Sequence, residues 1–235
     1  MSQMKTTLIT GANRGIGLEF CRQYAAAGWH VLACSRHPEK SDALHKLAEQ
    51  YPELIKIHAL DVADPAQIKR LAETLSGASI DLLINNAGIY PASDTKGFGH
   101  TDDAEWLAAF RINAIAPLKM AEAFATQIAR SKLKTIATIT SMMGSIADNN
   151  SGGNYLYRSS KAALNMVVKS LAIDLKKAGI TATLFHPGWV KTDMGGPNAM
   201  ISTEQSVSGM RQVISGLSMA DSGKFFGYDG REIPW

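Results

Sequence analysis

A tyrosine and a lysine four residues apart are the pair in this sequence best suited to acid–base chemistry. Tyr157 and Lys161 lie in the run YLYRSSK, which reads as helical, and residues four apart share one face of a helix. Tyr155 has Ser159 at that distance and is not the paired tyrosine. A free phenol has a pKa of about 10, and a neighbouring ammonium favours the phenolate and lowers that pKa. Such pairs also occur by chance on helix faces, so the spacing alone establishes no catalytic role.

A serine upstream of this pair follows a predicted strand. Ser141 comes directly after residues 134–140, and the carboxyl ends of strands are where open α/β sheets place their ligand sites. A hydroxyl at such a place can donate a hydrogen bond to the oxygen of a substrate carbonyl. Serine is also common in turns after strands, so a turn residue is the alternative interpretation of Ser141.

A glycine-rich turn near the N-terminus predicts a site for an anionic ligand. Residues 10–17 read TGANRGIG and lie between a predicted strand and a predicted helix. Glycines there let the backbone approach a pyrophosphate, which then lies at the amino end of the helix. The spacing is G-x3-G-x-G, not the G-x-G-x-x-G of the general dinucleotide fingerprint. Three glycines can also form a simple tight turn, but the place directly after the first strand favours phosphate binding.

The end of the second predicted strand indicates which dinucleotide binds. An acidic residue there would bind the ribose 2′-hydroxyl of NAD(H). This sequence has Ser35, Arg36 and His37 instead, and no acid before Glu39. Arg14 in the glycine turn is a second cation that can reach a 2′-phosphate. Arg36 can also be an ordinary solvated charge, but two cations and the missing acid favour NADP(H).

Strand-like and helix-like segments alternate along the whole chain. Short apolar runs predict strands at residues 5–10, 30–35, 54–60, 80–85, 134–140, 180–185 and 224–228. Periodicity and capping residues predict helices at 15–28, 41–50, from 65 after an Asp64 cap, 103–128 with a kink at Pro117, 154–178 closed by Gly179, and 203–216. This alternation indicates βαβ units. We expect an α/β fold in which residues 1–235 form a single Rossmann-type domain, a doubly wound sheet of about seven parallel strands flanked by helices.

Composition excludes several classes of protein. The 235 residues carry a formal net charge of +3, and the basic residues are scattered rather than gathered into the stripe that nucleic-acid binding needs. No apolar run reaches the roughly 18 residues of a membrane span, and the N-terminus lacks the apolar stretch of a signal peptide. Cys21 and Cys34 make no disulfide framework and are expected in the core. We expect a cytoplasmic protein with no nucleic-acid or membrane partner and no metal site.

These motifs together resemble those of the short-chain dehydrogenase/reductase family over essentially the whole chain. Each motif is weak alone, and the resemblance depends on their order. The motifs are residues 10–17 (TGANRGIG), Asp61-Val62, residues 85–88 (NNAG), Asn113, Ser141, Tyr157 with Lys161, and Pro187-Gly188 with Thr192.

The resemblance implies catalytic roles for four of these residues. Tyr157 would donate a proton to the substrate, and Ser141 would hold the carbonyl oxygen. Lys161 would bind the nicotinamide ribose and lower the pKa of the tyrosine. Asn113 would anchor a water molecule that relays protons to Lys161.

The resemblance, together with the two arginines, also implies a set of NADP(H)-binding residues. Asp61 and Val62 would border the adenine pocket, while Asn86 would also steady the sheet. The segment after the sixth strand would hold the nicotinamide. The whole set is Gly11, Asn13, Arg14, Gly15, Ile16, Gly17, Arg36, Asp61, Val62, Asn86, Ala87, Gly88, Tyr157, Lys161, Pro187, Gly188, Val190 and Thr192.

One departure from the family pattern narrows the resemblance. The family usually places its catalytic serine and tyrosine closer together than the 16 residues that separate Ser141 from Tyr157 here. The intervening residues, the YxYRxSK arrangement, the HPGWVKTDMGG run and the short tail ending in Pro234-Trp235 are similar to the C-factor/Sniffer subgroup, whose members are similar to carbonyl reductases. The extra residues are expected to form a loop at the rim of the site.

These observations predict NADPH-dependent reduction of an aldehyde or ketone by hydride transfer, with Tyr157 as the proton donor. The substrate would be a small carbonyl compound, or the alcohol in the reverse direction. Residues 193–206 are expected to form a substrate lid, and the resemblance implies a homodimer or homotetramer. Two alternatives stay open: a C-factor-like signalling or regulatory protein that binds NADP(H) with little turnover, and a reductase of a carrier-bound acyl chain.

Overall fold

The computed structural model describes residues 4–235, and the sheet in this part of the chain has seven strands. They are β1 (Thr6–Thr10), β2 (His30–Ser35), β3 (Ile55–Ala59), β4 (Leu82–Asn85), β5 (Thr135–Ile139), β6 (Thr181–His186) and β7 (Phe225–Gly227). Their spatial order is β3-β2-β1-β4-β5-β6-β7, and every neighbouring pair is parallel. The predicted Rossmann-type α/β fold is confirmed. Residues 1–3 of the predicted domain lie outside the described residues.

Helices cover both faces of this sheet. They are α1 (Gly15–Ala26), α2 (Asp42–Gln50), α3 (Pro65–Thr74), α4 (Asp103–Phe110), α5 (Ala116–Ala129), α6 (Tyr155–Asp174) and α7 (Thr203–Ser215). The core has one apolar cluster per face: Ile9 packs among residues of α1, α2 and α7, and Leu8 among residues of α3, α5 and α6. Because adjacent strand residues point to opposite faces, a strand between two helix layers must be apolar on both sides. That requirement explains the continuous apolar runs.

Two predicted helices are interrupted. The helix predicted at 103–128 is divided into α4 and α5 by a π-helical turn, Arg111–Ile115, which ends two residues before the predicted kink site Pro117. A proline offers no N–H to the preceding turn, so the helix widens there. The helix predicted at 154–178 ends at Asp174 and tightens into a 3-10 turn, Lys176–Ala178. Gly179, with φ of 69°, therefore closes that turn rather than α6 itself.

The order of the strands creates a crevice where β1 and β4 lie side by side. The chain leaves β1 toward β2 on one side and leaves β4 toward β5 on the other. The connections after these two strands therefore diverge, and a crevice opens at the carboxyl ends. The residues that the sequence places directly after β1, β2, β4 and β5 consequently share one edge of the sheet.

Three further expectations concern the cysteines, membrane-spanning helices and metal sites. Cys21 and Cys34 are buried and unlinked, as expected for core cysteines. Within residues 4–235, no helix is both long and apolar enough to cross a membrane. In the same part of the chain, no group of three or more His, Cys, Asp or Glu residues is arranged to hold a metal ion.

Candidate active site

A cleft of about 1050 Å³ lies at the carboxyl ends of the strands, beside the point where the strand order reverses. Open α/β sheets bind their ligands in this crevice. Most of the predicted site residues line it, namely Gly11, Asn13, Arg14, Gly15, Ile16, Gly17, Arg36, Asp61, Val62, Asn86, Ala87, Gly88, Tyr157, Lys161, Pro187 and Thr192. The predicted residues Asn113, Ser141, Gly188 and Val190 are not among its lining residues.

The glycine turn leaves room for an anion at the amino end of α1. Gly11 has φ of 65°, a conformation that favours glycine. A Cβ on Gly17 would overlap with the carbonyl oxygen of Gly11, so only glycine fits at this approach. The residue before α1, Arg14, makes no side-chain cap, and the first turn holds no acidic residue. The first N–H groups of α1 therefore have no side-chain cap, which fits an anionic diphosphate.

Asn86 joins the glycine turn to the segment after β4. Its Nδ2 donates to the carbonyl oxygens of Thr10 (2.9 Å) and Gly11 (3.1 Å). The Thr10 hydroxyl accepts hydrogen bonds from the backbone N–H groups of Asn86 (3.0 Å) and Ala87 (3.1 Å). These four bonds hold two cleft-lining segments against each other, which is how Asn86 steadies this edge of the sheet.

Basic side chains gather where β2 ends. Arg36, His37, Lys40 and Lys46 all line this end of the cleft. The hydroxyls of Ser35 and Ser41 lie 3.3 Å apart, and Ser41 also donates to the carbonyl oxygen of His37 at 2.9 Å. This end of the cleft is thus positively charged and rich in hydroxyl groups, which suits a phosphate group.

Arg14 does not join this group of cations. Its Nη1 lies 2.6 Å from Oδ2 of Asp193, and both side chains are exposed. Arg14 thus pairs with Asp193 here while still lining the cleft, and its role at the same phosphate as Arg36 stays a prediction. The pair forms because the chain returns Asp193 to the glycine turn after β6, and the flexible arginine pairs with this near carboxylate.

The segment after β3 forms a tight turn. The Asp61 carboxylate accepts a hydrogen bond from Ala63 N–H at 2.9 Å, and Asp61 N–H donates to the Gln67 side chain at 2.9 Å. Asp64 then caps α3, as predicted. These bonds fix the backbone of Asp61 and Val62 at the rim of the cleft next to β3.

Ser141, Tyr157 and Lys161 meet at the other end of the cleft. Ser141 follows β5, whereas Tyr157 and Lys161 lie in the first two turns of α6. The Ser141 side chain is close enough to Tyr157 to lower the pKa of its phenol, and Lys161 Nζ lies 5.7 Å from the centroid of the tyrosine ring. All three side chains are buried. Gly144 permits this meeting, because a Cβ there would lie 2.9 Å from Cβ of Lys161.

Burial controls the ionisation of the tyrosine and the lysine. It raises the pKa of Tyr157 to about 12, while the nearby Ser141 side chain acts in the opposite direction. Burial also lowers the pKa of Lys161 to about 8. Lys161 Nζ donates to the carbonyl oxygen of Ile139 at 3.0 Å, not to the phenol. Burial, Ser141 and Tyr90 shift the pKa of Tyr157 here, so the lowering of that pKa by Lys161 stays a prediction. With a pKa of about 12, Tyr157 is protonated at neutral pH.

Asn113 lies in the π-helical turn and holds the segment after β4. Its Oδ1 accepts from Ile89 N–H at 2.9 Å, and its Nδ2 donates to Ile89 O at 2.9 Å and to Ser160 Oγ at 3.0 Å. The side-chain amide is thus occupied by protein partners. Pro117, four residues later, has no N–H to offer to the Asn113 carbonyl. The carbonyl is therefore the group of Asn113 that can anchor the predicted water.

Comparison with known proteins decides the family of this chain. A model described as short chain dehydrogenase matches residues 5–200. The chain belongs to the short-chain dehydrogenase family. The C-signal of Myxococcus xanthus is 44% identical over 168 residues, which cover 72% of this chain and 100% of that protein.

Solved structures agree with this family. An NADPH-bound carbonyl reductase from chicken fatty liver is 37% identical to this chain, with a TM-score of 0.92 over 99% of both chains. The carbonyl reductase Sniffer of D. melanogaster is 32% identical, with a TM-score of 0.91 over 99% of this chain and 100% of that one. The predicted resemblance to the C-factor/Sniffer-like carbonyl reductases is thereby confirmed.

The segment after β6 in this short-chain dehydrogenase contributes to the cleft at two points. Pro187 and Thr192 line the cleft. Gly188, with φ of 84°, packs on Ile201 instead, and Val190 is buried and forms a parallel β-bridge with Ile201. The predicted nicotinamide segment therefore alternates between residues that face the cleft and residues that anchor the segment.

The last residues of the lid predicted at 193–206 are helical in the structure. Helix α7 begins at Thr203, so residues 203–206 form its first turn. Ser206 is fully buried, and its hydroxyl donates to the carbonyl oxygen of Pro187 at 2.5 Å. This end is therefore anchored by a hydrogen bond to the segment after β6. Met194 and Thr203 line the cleft, and the lid role of residues 193–206 stays a prediction.

Two residues of this dehydrogenase site were not found by sequence reasoning. The Tyr90 ring lies 4.7 Å from the Tyr157 ring at an interplanar angle of 38°, and its hydroxyl donates to Asn154 Oδ1. Asp94 accepts hydrogen bonds from the backbone of Leu156 and Tyr157. The sequence signal for Tyr90 is its place two residues after the NNAG motif. No local pattern connects Asp94 with a helix 62 residues later.

Proposed function

We propose that this chain is an NADP(H)-dependent carbonyl reductase that reduces an aldehyde or ketone with Tyr157 as the proton donor. The observation that carries the proposal is the buried pair of Ser141 and Tyr157 hydroxyls beside Lys161. Two adjacent hydroxyls can hold one carbonyl oxygen while one of them transfers its proton. The membership of the oxidoreductase family supports this reading of the pair.

The cleft fits NADP(H) from end to end. The basic group after β2 and the hydroxyl pair after β5 are separated by three strand spacings, roughly 14 Å along the sheet. The glycine turn of α1 lies between them and leaves N–H groups for a diphosphate. Two similar carbonyl reductases, from chicken fatty liver and from Pseudomonas aeruginosa, were crystallised with NADPH and NADP.

The cofactor would lie with its adenosine end at the basic group after β2 and its nicotinamide end at Tyr157, which assigns a role to each predicted residue. Arg36 would hold the 2′-phosphate, Asp61 and Val62 the adenine side, and the glycine turn the diphosphate. Residues 86–88 would line the middle of the cofactor, and Tyr157 and Lys161 the nicotinamide ribose. Pro187 and Thr192 would contact the nicotinamide, and Gly188 and Val190 would hold the segment that bears them. When bound, NADPH supplies the hydride.

The protein's own residues supply the proton and stabilise the developing charge. The Ser141 oxygen accepts a hydrogen bond from Met143 N–H at 3.2 Å, which leaves its proton for the carbonyl oxygen. Tyr157, with a pKa of about 12, stays protonated at neutral pH and can donate. Lys161, with a pKa of about 8, can exchange a proton near neutral pH. A water molecule on the Asn113 carbonyl would return that proton from solvent.

The role of Tyr157 is tested by replacing it with phenylalanine. We expect kcat for a carbonyl substrate to fall by about 10²- to 10⁴-fold, the usual contribution of a placed proton donor. NADPH affinity should change by less than about two-fold, since the cofactor phosphates are held elsewhere. Tyr155→Phe on the same helix is the matched control and should keep wild-type turnover. A Tyr157→Phe variant with wild-type turnover would contradict the proposal.

The cofactor preference is tested by titration with NADPH and NADH, followed by nicotinamide fluorescence. Loss of one charge-assisted hydrogen bond in Arg36→Ala should reduce the preference for NADPH by about 10- to 150-fold. Arg70→Ala removes an exposed arginine outside the cleft lining and should leave the preference unchanged. Binding of neither nucleotide by the wild type would refute the cofactor assignment.

A second candidate function is a signalling or regulatory protein that binds NADP(H) with little turnover. The 44% identity to the C-signal of M. xanthus is the observation that favours it. Slow turnover with every carbonyl offered, together with tight NADPH binding, would support this candidate over a reductase.

We also propose a homodimer or homotetramer formed through α6, on which the apolar side chains of Met166 and Ile173 are exposed. Light scattering of the purified protein would measure the mass of the assembly.

A further inference from the structure

The amino end of the helix that carries Tyr157 lacks a cap of its own. A capping residue normally has an extended backbone, and its side chain accepts from the second or third N–H of the helix. Asn154, directly before α6, has φ of 50° and ψ of 44° and makes no such bond. Its Oδ1 accepts the hydroxyl of Tyr90 instead. The first N–H groups of α6 therefore need another partner.

Asp94 is that partner, although it lies 62 residues earlier in the chain. Its Oδ1 accepts from Leu156 N–H at 3.0 Å, and its Oδ2 accepts from Tyr157 N–H at 2.7 Å. These are the second and third N–H groups of α6, the two that a local cap would satisfy. The carboxylate is only 3% exposed. It also places negative charge at the positive end of the helix dipole.

The segment that bears Asp94 is itself held in place. The neighbouring Ser93 donates to Oε2 of Glu105 through its backbone N–H (2.9 Å) and its hydroxyl (2.8 Å). Four residues before Asp94, the Tyr90 ring lies 4.7 Å from the ring of Tyr157. The segment after β4 thus contacts Tyr157 at both its backbone and its ring.

We propose that Asp94 is a positioning residue for Tyr157, through a cap supplied by the segment after β4. The same segment begins with the cleft-lining residues 86–88, so it joins one wall of the cleft to the start of the catalytic helix. The proposal rests on the proposed function, because it assigns Asp94 to the placement of the proton donor. It predicts that kcat depends on Asp94 although the Asp94 carboxylate binds only backbone N–H groups of α6 and does not act on the substrate itself.

Asp94→Ala and Asp94→Asn test the proposal together. A misplaced reacting group loses rate steeply, so we expect kcat of Asp94→Ala to fall by about 10- to 100-fold. KM for NADPH should stay within about two-fold, because the cofactor phosphates bind at the glycine turn. Asp94→Asn keeps one acceptor oxygen and should lie between Asp94→Ala and the wild type. The asparagine variant has the same shape and keeps the test decisive if the alanine variant does not fold.

Ser93→Ala is the matched control. It removes a hydroxyl anchor of the same segment without touching α6, so its kcat should stay within about two-fold of wild type. If Ser93→Ala loses as much turnover as Asp94→Ala, the segment as a whole matters and the positioning role is wrong. Wild-type kcat in both Asp94 variants, or loss of NADPH binding in parallel with kcat, would also overturn it.

Amide hydrogen exchange separates this inference from the proposed function. In Asp94→Ala, exchange at Leu156 and Tyr157 should accelerate by about 10-fold or more, while the later turns of α6 stay protected. Unchanged exchange would overturn the inference even if the protein is an active reductase. A wild type that reduces no carbonyl, or a fully active Tyr157→Phe variant, would overturn the proposed function, and faster exchange would then still establish the cap.

Discussion

Replacement of Lys161 by methionine should change how stability depends on pH. The lysine is 4% exposed, and its ammonium donates to the Ile139 carbonyl at 3.0 Å. Burial lowers the pKa of Lys161 from the ordinary 10.5 to about 8. Methionine keeps the length and apolar stem of the side chain but carries no charge, so the variant isolates the cost of burying the ammonium.

The sign and size of the effect follow from proton linkage. Between about pH 8 and 10.5 the unfolded chain holds the Lys161 proton and the folded protein does not, so the free energy of unfolding rises with pH. Integration of the two titration curves from about pH 7 to about pH 9.5 gives the wild type a gain of about 2 kcal/mol relative to Lys161→Met. Tyr157 titrates in both proteins, and its contribution cancels in the comparison.

Urea unfolding followed by circular dichroism at the two pH values measures this difference. Lys169→Met, an exposed lysine two turns further along α6, is the matched control and should show no such gain. A difference between wild type and Lys161→Met that stays constant with pH would refute the argument. It would mean that Lys161 keeps an ordinary pKa, and with it the case for proton exchange near neutral pH would fail.

Two further predictions concern the cofactor end of the cleft. Gly17→Ala places a Cβ against the Gly11 carbonyl oxygen and the Asn86 side chain, so stability should fall by about 1–3 kcal/mol; thermal unfolding checks this, and an unchanged Tm would contradict it. Asp193→Asn frees Arg14 from its exposed ion pair and should tighten NADPH binding by about two-fold with no change in Tm. Weaker NADPH binding in Asp193→Asn would show that the carboxylate itself supports the cofactor.

The sequence predicted the fold of this protein because strands, helices and their order depend on local patterns of apolar and capping residues. β2 begins and ends at the residues that the apolar run indicated, and Asp64 caps α3 as its type and place suggested. The alternation of strands and helices was sufficient for a parallel sheet, and the ordered motifs were sufficient for the family. Where local pattern was incomplete, the prediction failed: the π-helical turn before Pro117 and the early end of α6 at Asp174 left no clear signal.

Only the tertiary structure decided how the site residues are held and charged. The Asp94 cap on α6 joins residues 62 apart, and the Arg14–Asp193 pair joins residues 179 apart. No periodicity or motif connects such partners, because they meet only after the sheet has formed. The pKa values of Tyr157 and Lys161 are likewise set by burial and not by their four-residue spacing. Desolvation depends on every element packed around a group, and a linear sequence does not specify that environment residue by residue.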